Sequence, residues 1–185
     1  MRVIAGCARG TRLRVPRAPG VRPTLDRVRE ALFSILGDRI ADSVVLDLFA
    51  GSGALGIEAL SRGARHAAFV DSRRACVRTV QENLKACGFE GRSTVLLGTV
   101  PACLPALKRR YGESYEVVFL DPPYRDTFDL RILEALEAAS LLKRDAMIII
   151  EHGRRQGVGD LPASFVVATE RAYGDVAVTF LLHRG

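Results

Sequence analysis

Val44-Val-Leu-Asp-Leu-Phe-Ala-Gly-Ser-Gly-Ala-Leu-Gly56 is the stretch whose reading decides the fold. Residues 44–48 have the character of a buried strand, the glycines make a turn, and a helix is expected to continue from it to about Arg62. Glycines let a backbone come close to a ligand, and the unpaired N–H groups of a helix N-terminus favour an anion. Gly51-x-Gly53-x-x-Gly56 is followed by Asp71, twenty residues after Gly51 at the end of the next expected strand, 67–70. That spacing alone suits a dinucleotide.

Asp47 argues for a different occupant. A carboxylate in the strand that feeds the turn repels a pyrophosphate and attracts an ammonium group. S-adenosylmethionine carries an ammonium group, a carboxylate for the helix N-terminus and ribose hydroxyls for Asp71. A glycine-rich turn with no ligand is the bland alternative.

Outward from this unit the chain keeps alternating. Helix 73–86, strand 93–97, helix 101–110, strand 116–120, helix 127–139 and strand 146–151 are expected in that order, which implies a parallel sheet with helices on both faces. Strands 165–169 and 176–182 are too close for a helical crossover and are expected to pair as an antiparallel hairpin at the sheet edge. Ligands of such sheets bind beyond the strands' carboxyl ends. Asp47, Asp71, Gly98-Thr99 and Asp121 all fall there.

Val117-Val-Phe-Leu-Asp-Pro-Pro-Tyr124 is the second decisive stretch. Asp121 stands where a buried strand ends and two prolines forbid further pairing. Asp121 and the carbonyl groups around Pro122 make acceptors for an exocyclic NH2, and Tyr124 offers a flat surface, so the tip suits adenine, cytosine or guanine. A strand capped by a Pro-Pro turn is the alternative reading.

Charge is concentrated at one end. Of 185 residues, 1–39 hold nine arginines against three acids, while the rest carry eighteen of each sign, so the whole formal charge of +6 sits in the first fifth of the chain. Strands 2–5 and 12–15 joined by Gly6–Gly10 read as a small basic hairpin, followed by a proline-rich linker and a helix capped by Thr24 and running to about Leu36. A basic arm on a neutral body points to a polyanion, since arginine contacts to phosphate give salt-sensitive affinity. Arginine outnumbers lysine 24 to 3, which a GC-rich genome also produces, so the location of the charge is the stronger argument. Arg22, Arg27 and Arg29 are expected around the start of that helix, facing the cleft between arm and body or water.

Cys7, Cys76, Cys87 and Cys103 contain no Cys-x-x-Cys pair, and His66, His152 and His183 are scattered, so no metal is expected. Cys76 and Cys87 are expected on one helix about three turns apart, as free thiols. No apolar run approaches a membrane span or a signal peptide, and a cytoplasmic protein is expected.

The chain resembles the Rossmann-like, class I S-adenosylmethionine-dependent methyltransferases, and within them the bacterial RsmD-like family that methylates N2 of a guanine in 16S ribosomal RNA. The resemblance is carried by Arg2-Val-Ile-Ala-Gly6, Arg22-Pro-Thr-Leu-Asp-Arg-Val-Arg-Glu-Ala-Leu-Phe33, Asp47-Leu-Phe-Ala-Gly-Ser-Gly53 and Asp121-Pro-Pro-Tyr124. It implies an α/β fold: a mostly parallel seven-stranded sheet with an antiparallel C-terminal hairpin (24–185), preceded by the basic hairpin and linker (1–23). It implies cofactor contacts along Asp47, Phe49, Ala50, Gly51, Ser52, Gly53, Asp71, Ser72, Gly98 and Thr99, and a target base at Asp121, Pro122, Pro123 and Tyr124. Arg2, Arg9, Arg12, Arg14, Arg22 and Arg27 are expected to hold RNA phosphates. A monomer acting on 16S rRNA or the small ribosomal subunit is expected, with no membrane partner. Many relatives in the wider superfamily hold the cofactor adenine with an acid or amide after the third strand; here Gly98-Thr99 offers backbone and a hydroxyl. A DNA amino-methyltransferase, a non-catalytic RNA-binding assembly factor and a nicotinamide enzyme are the rival readings.

Overall fold

The computed structural model describes residues 1–16, 26–122 and 128–185. Its elements are α1 (Asp26–Leu36), β1 (Val44–Leu48), α2 (Ala54–Ser61), β2 (His66–Asp71), α3 (Arg74–Cys87), β3 (Ser93–Leu97), α4 (Leu104–Tyr111), β4 (Tyr115–Leu120), α5 (Arg131–Ala138), β5 (Leu142–Gly153), β6 (Phe165–Tyr173) and β7 (Val176–His183). The strands form one sheet in the order β3-β2-β1-β4-β5-β7-β6. β1 to β5 are parallel, and β7 runs antiparallel to both β5 and β6.

Central strands buried on both faces read as continuous apolar runs, and every residue of β1 is buried. One face packs α1, α2 and α3 through Leu32, Phe33, Ile57, Val80 and Leu84 onto Val45, Phe69 and Phe119. The other packs α4 and α5 through Leu104, Leu107, Ile132 and Leu136 onto Leu46, Val118 and Ile148. The expected mostly parallel sheet with its antiparallel hairpin is the observed one. Several boundaries moved: α4 begins at Leu104 rather than 101, β6 runs on to Tyr173 rather than 169, and two further shifts have local reasons. α5 begins at Arg131, later than expected, where the Asp129 carboxylate accepts the Arg131 N–H at 3.1 Å. β5 begins earlier, because Leu142 pairs with Tyr115 before the strand bulges and resumes at Met147 beside Val117. Asp145, in the bulge, has φ 59°. Thr24 and Thr127, the expected helix starts, lie outside the described residues.

The N-terminal hairpin forms, but its ladder is short. Arg2 pairs with Arg12, supported by Val3 N–H to Thr11 O and Leu13 N–H to Met1 O, both 3.0 Å. Neighbouring backbone groups turn instead to the body. Ile4 and Ala5 donate to the two oxygens of Glu58 at 2.7 and 2.9 Å. Cys7 N–H donates to Ser61 O at 2.8 Å, and Arg14 N–H donates to Asn83 Oδ1 at 2.8 Å. Val3 and Leu13 are buried in the same core as α1 to α3. At Gly6, which has φ 80°, a Cβ would overlap the Ser61 carbonyl, so only glycine lets the hairpin lie this close to α2.

Arg29 does not face a cleft or water as expected. Its side chain is fully buried, and Nη2 donates to Arg2 O at 2.7 Å and to Asp26 Oδ1 at 2.9 Å, which ties α1 to the hairpin.

Glu58 is the main fastening. It is fully buried and also accepts from Arg62 Nε at 2.8 Å. Glu58→Ala leaves two amides and a guanidinium without their acceptor, and should lower the unfolding free energy by about 3–5 kcal/mol, read by urea denaturation. Proteolysis within residues 1–16 should then precede cleavage of the body; equal protection of the two would show that Glu58 does not hold the hairpin.

Candidate active site at the carboxyl edge

The ends of β1, β2 and β3 are joined through one residue. Asp71, last in β2 and 4% exposed, accepts the Gly51 N–H on Oδ2 at 2.9 Å and the Arg73 N–H on Oδ1 at 2.9 Å. Its backbone carbonyl accepts the Gly98 N–H at 3.0 Å, just beyond β3. Ala50 N–H donates to Val70 O at 3.0 Å, so the glycine turn is bound to β2 by two successive amides. The turn bends through left-handed conformations at Phe49 (φ 63°), Gly51 (56°) and Gly53 (76°). For Phe49 this is strained backbone of the kind that persists at functional turns.

Asp47 lies beneath the turn. It is 2% exposed, and its side chain makes one hydrogen bond among the described residues, accepting the Gly56 N–H on Oδ2 at 2.9 Å. Gly56 has to be glycine, since a Cβ there would strike the Phe69 ring and crowd Asp47. Burial pushes the Asp47 carboxyl up to about 7; the Gly56 N–H works against that rise and the Asp71 charge adds to it.

Ala50 and Ser52 are buried within the turn, Ser72 is exposed after Asp71, and Gly98 is half-buried beside exposed Thr99. Gly98 packs on Cys103, whose Cβ a side chain at 98 would approach to 2.6 Å. Asp121 and Pro122 are half-buried at the end of β4. Leu48 and Leu120 are register partners, so Phe49 and Asp121 leave the sheet side by side, roughly 4.8 Å apart by strand spacing. The structure therefore unites Asp47, the glycine turn, Asp71, Gly98 and Asp121 on one edge. Pro123, Tyr124 and Arg22 lie outside the described residues.

These residues fit S-adenosylmethionine. Asp47 retains acceptor capacity toward an ammonium group. Each oxygen of Asp71 holds one backbone donor and one contact from the partly exposed Arg73 guanidinium, Nε to Oδ1 at 3.2 Å and Nη2 to Oδ2 at 3.4 Å, so a ribose hydroxyl would take the place of that side chain. Gly53 caps α2 in a left-handed conformation without a side-chain bond of its own; Asp47 takes the Gly56 amide, which leaves those of Ala54 and Leu55 to an anion.

Arg2, Arg9, Arg12, Arg14 and Arg27 are all exposed. Arg2 and Arg12 stand opposite each other across the hairpin, where like charges destabilise unless an anion lies between them. Arg14 is partly committed, its Nη1 lying 2.8 Å from Glu82. Sequence reasoning missed Asn83. It is 1% exposed, and its Nδ2 donates to Arg14 O and Ser52 O, both at 2.9 Å, linking the hairpin to the glycine turn.

Fold and site define a Rossmann-like methyltransferase. Residues 1–182 match the family described as "Conserved hypothetical protein 95". "Ribosomal RNA small subunit methyltransferase D" of Escherichia coli K12 is 38% identical over 177 residues, covering 96% of this chain and 87% of that one. "Putative rRNA methyltransferase YlbH" of Bacillus subtilis is 35% identical over 185 residues, the full length of both. The solved structure described as "Putative methyltransferase yhhF from Escherichia coli" superposes with a TM-score of 0.85 at 35% identity, covering 100% of this chain and 98% of that one. The chain belongs to this family, that of the small-subunit rRNA methyltransferase D proteins.

The Asp47 environment sets a pH signature. An acid whose folded value is raised from 3.8 to about 7 binds more protons folded than unfolded across that window. Its contribution is therefore stabilising at low pH and is lost as pH rises from about 4 to about 7. Asp47→Asn should flatten this part of the profile. Urea unfolding of both proteins at a series of pH values checks it, and superimposable profile shapes would refute the assignment.

Proposed function

We propose that the protein transfers a methyl group from S-adenosylmethionine to N2 of a guanine in 16S ribosomal RNA, within the small ribosomal subunit and in the cytoplasm. The observation that carries the reading is the register of β1 with β4, which sets Asp121 and Pro122 beside the turn fitted to the cofactor. The named activities of the full-length relatives supply the RNA class.

N2 of guanine is a weak nucleophile because its lone pair is delocalised into the ring. The task of the tip is orientation. Asp121 and the Pro122 carbonyl accept the two N–H bonds of the amine, which turns the lone pair out of the ring plane and toward the cofactor pocket. When bound, S-adenosylmethionine supplies a methyl on a positively charged sulfur and departs as the neutral thioether. As the N–C bond forms, N2 sheds one proton, which Asp121 takes and passes to water. Tyr124 stacks the extruded base. Asp47 and Asp71 hold the ammonium group and the ribose, while Arg2, Arg9 and Arg12, together with Arg14, Arg22 and Arg27, hold phosphates without reading sequence.

Radiolabelled S-adenosylmethionine offered in parallel to small subunits, free 16S RNA and duplex DNA should yield N2-methylguanosine from subunits or RNA. Label confined to DNA would make the protein a DNA amino-methyltransferase. Asp121→Ala should cut transfer by about 10²–10³ with cofactor affinity by calorimetry nearly unchanged; loss of both together would sink the assigned role.

A further inference from the structure

A second basic groove lies on the other side of the tip. β5 runs parallel to β4 with Ile150 beside Leu120, continues to Gly153, and is followed by Arg154, Arg155 and Gln156. These residues and the β6–β7 turn at Gly174-Asp175 line a groove of about 740 Å³. The groove has a defined floor: Arg154 N–H donates to Asp175 O and Gln156 N–H to Gly153 O, both at 2.9 Å. Gly153 lets Gln156 fold back over the strand, since a Cβ there would lie 2.7 Å from Gln156 Oε1.

Both arginine side chains are exposed, and neither guanidinium forms a hydrogen bond or ion pair among the described residues. The exposed arginines Arg14 and Arg131, by contrast, are each held by an acid. Asp175 is the one acid in the groove.

Position gives the pair its meaning. Arg154 stands four residues beyond the level of Leu120 on the adjacent strand, roughly 13 Å along it. About four stacked nucleotides span that distance at roughly 3.4 Å each. The hairpin, by contrast, packs on α2 and α3, which cover β1, β2 and β3. The two basic surfaces therefore flank Asp121.

We infer that Arg154 and Arg155 form a second phosphate-binding site, which grips the RNA strand on the β5 side of the target base while the hairpin grips it on the other. The inference rests on the RNA-methyltransferase reading above. Two anchors on opposite flanks hold the backbone while the base between them is splayed toward the Asp121 tip, as recognition of unstacked RNA bases requires.

The test uses the full chain and a 16S RNA substrate that the wild type labels. Arg154→Glu/Arg155→Glu and the milder Arg154→Gln/Arg155→Gln should each weaken RNA binding at least about tenfold near 100 mM salt, and the Gln pair should lower the slope of log affinity against log salt by about 1.4, at roughly 0.7 per phosphate of a single strand. Cofactor affinity by calorimetry and the thermal midpoint should not move. Asp175→Ala should tighten RNA binding. Unaltered RNA affinity and salt slope in both double variants, with wild-type methylation intact, would overturn this site alone. A wild type that labels neither subunits nor RNA would overturn the parent reading and this site with it.

Discussion

The carboxylate of Asp71 accepting the Gly51 amide is the contact on which the active edge depends. A glycine-rich turn has little conformational preference of its own, and without a fixed acceptor it samples many arrangements. Asp71 provides one from the neighbouring strand, while its own carbonyl takes the Gly98 amide from the far side. Three loops that are distant in sequence are thereby referred to one residue of a rigid sheet. Asp47 performs the complementary task below, accepting from Gly56 and fixing where α2 leaves the turn. Both acids are buried, so a ligand meets dipoles and charges already oriented.

The hairpin is tied to this edge. Asn83 binds Arg14 on one side and Ser52 on the other, and Arg29 reaches from α1 to the Arg2 carbonyl. A basic arm need not be fastened to a protein merely to add positive charge. Fastening it by buried polar groups, each costly if left unpaired, fixes the direction in which Arg2, Arg9 and Arg12 point. In the proposed reaction, an RNA backbone bound there would be held in a fixed position as well as attracted.

The sheet was readable because its central strands obey local rules. Strands 44–48 and 93–97 fall where the apolar run and its bounding turns put them, and two strands expected with only six residues between them could only pair as a hairpin. The N-terminal part of β5 was hidden because Lys143, Arg144 and Asp145 sit in a bulge that only the register with β4 reveals. Arg29 read as a solvated charge because burial of that helix face is created by a hairpin more than twenty residues away. Glu58 carried a signal that could have been used: a lone acid inside Ala54–Ser61, a helix otherwise composed of apolar residues, glycine and a terminal serine. Of the site, the acids at strand ends were legible from topology. The contact of Asp71 with Gly98 was not, since it depends on how two loops fold over strand ends.

The distribution of charge follows from the two ligands of the proposed reaction. The methyl donor is a cation at sulfur and at its ammonium group, whereas the acceptor strand is a polyanion. A uniformly basic face would draw in RNA and oppose the donor; a uniformly acidic one would do the reverse. The described structure separates the two demands by depth. Asp47 and Asp71 are buried beneath the turn, whereas Arg2, Arg12, Arg154 and Arg155 are exposed on the flanks. Low-dielectric surroundings strengthen the field of the acids where the donor binds, and solvent and salt limit its reach toward the phosphates. Burial that raises the Asp47 carboxyl to about 7 is then part of the same design, because a cation arriving beside it favours the ionised form and recovers the attraction only when the donor is in place.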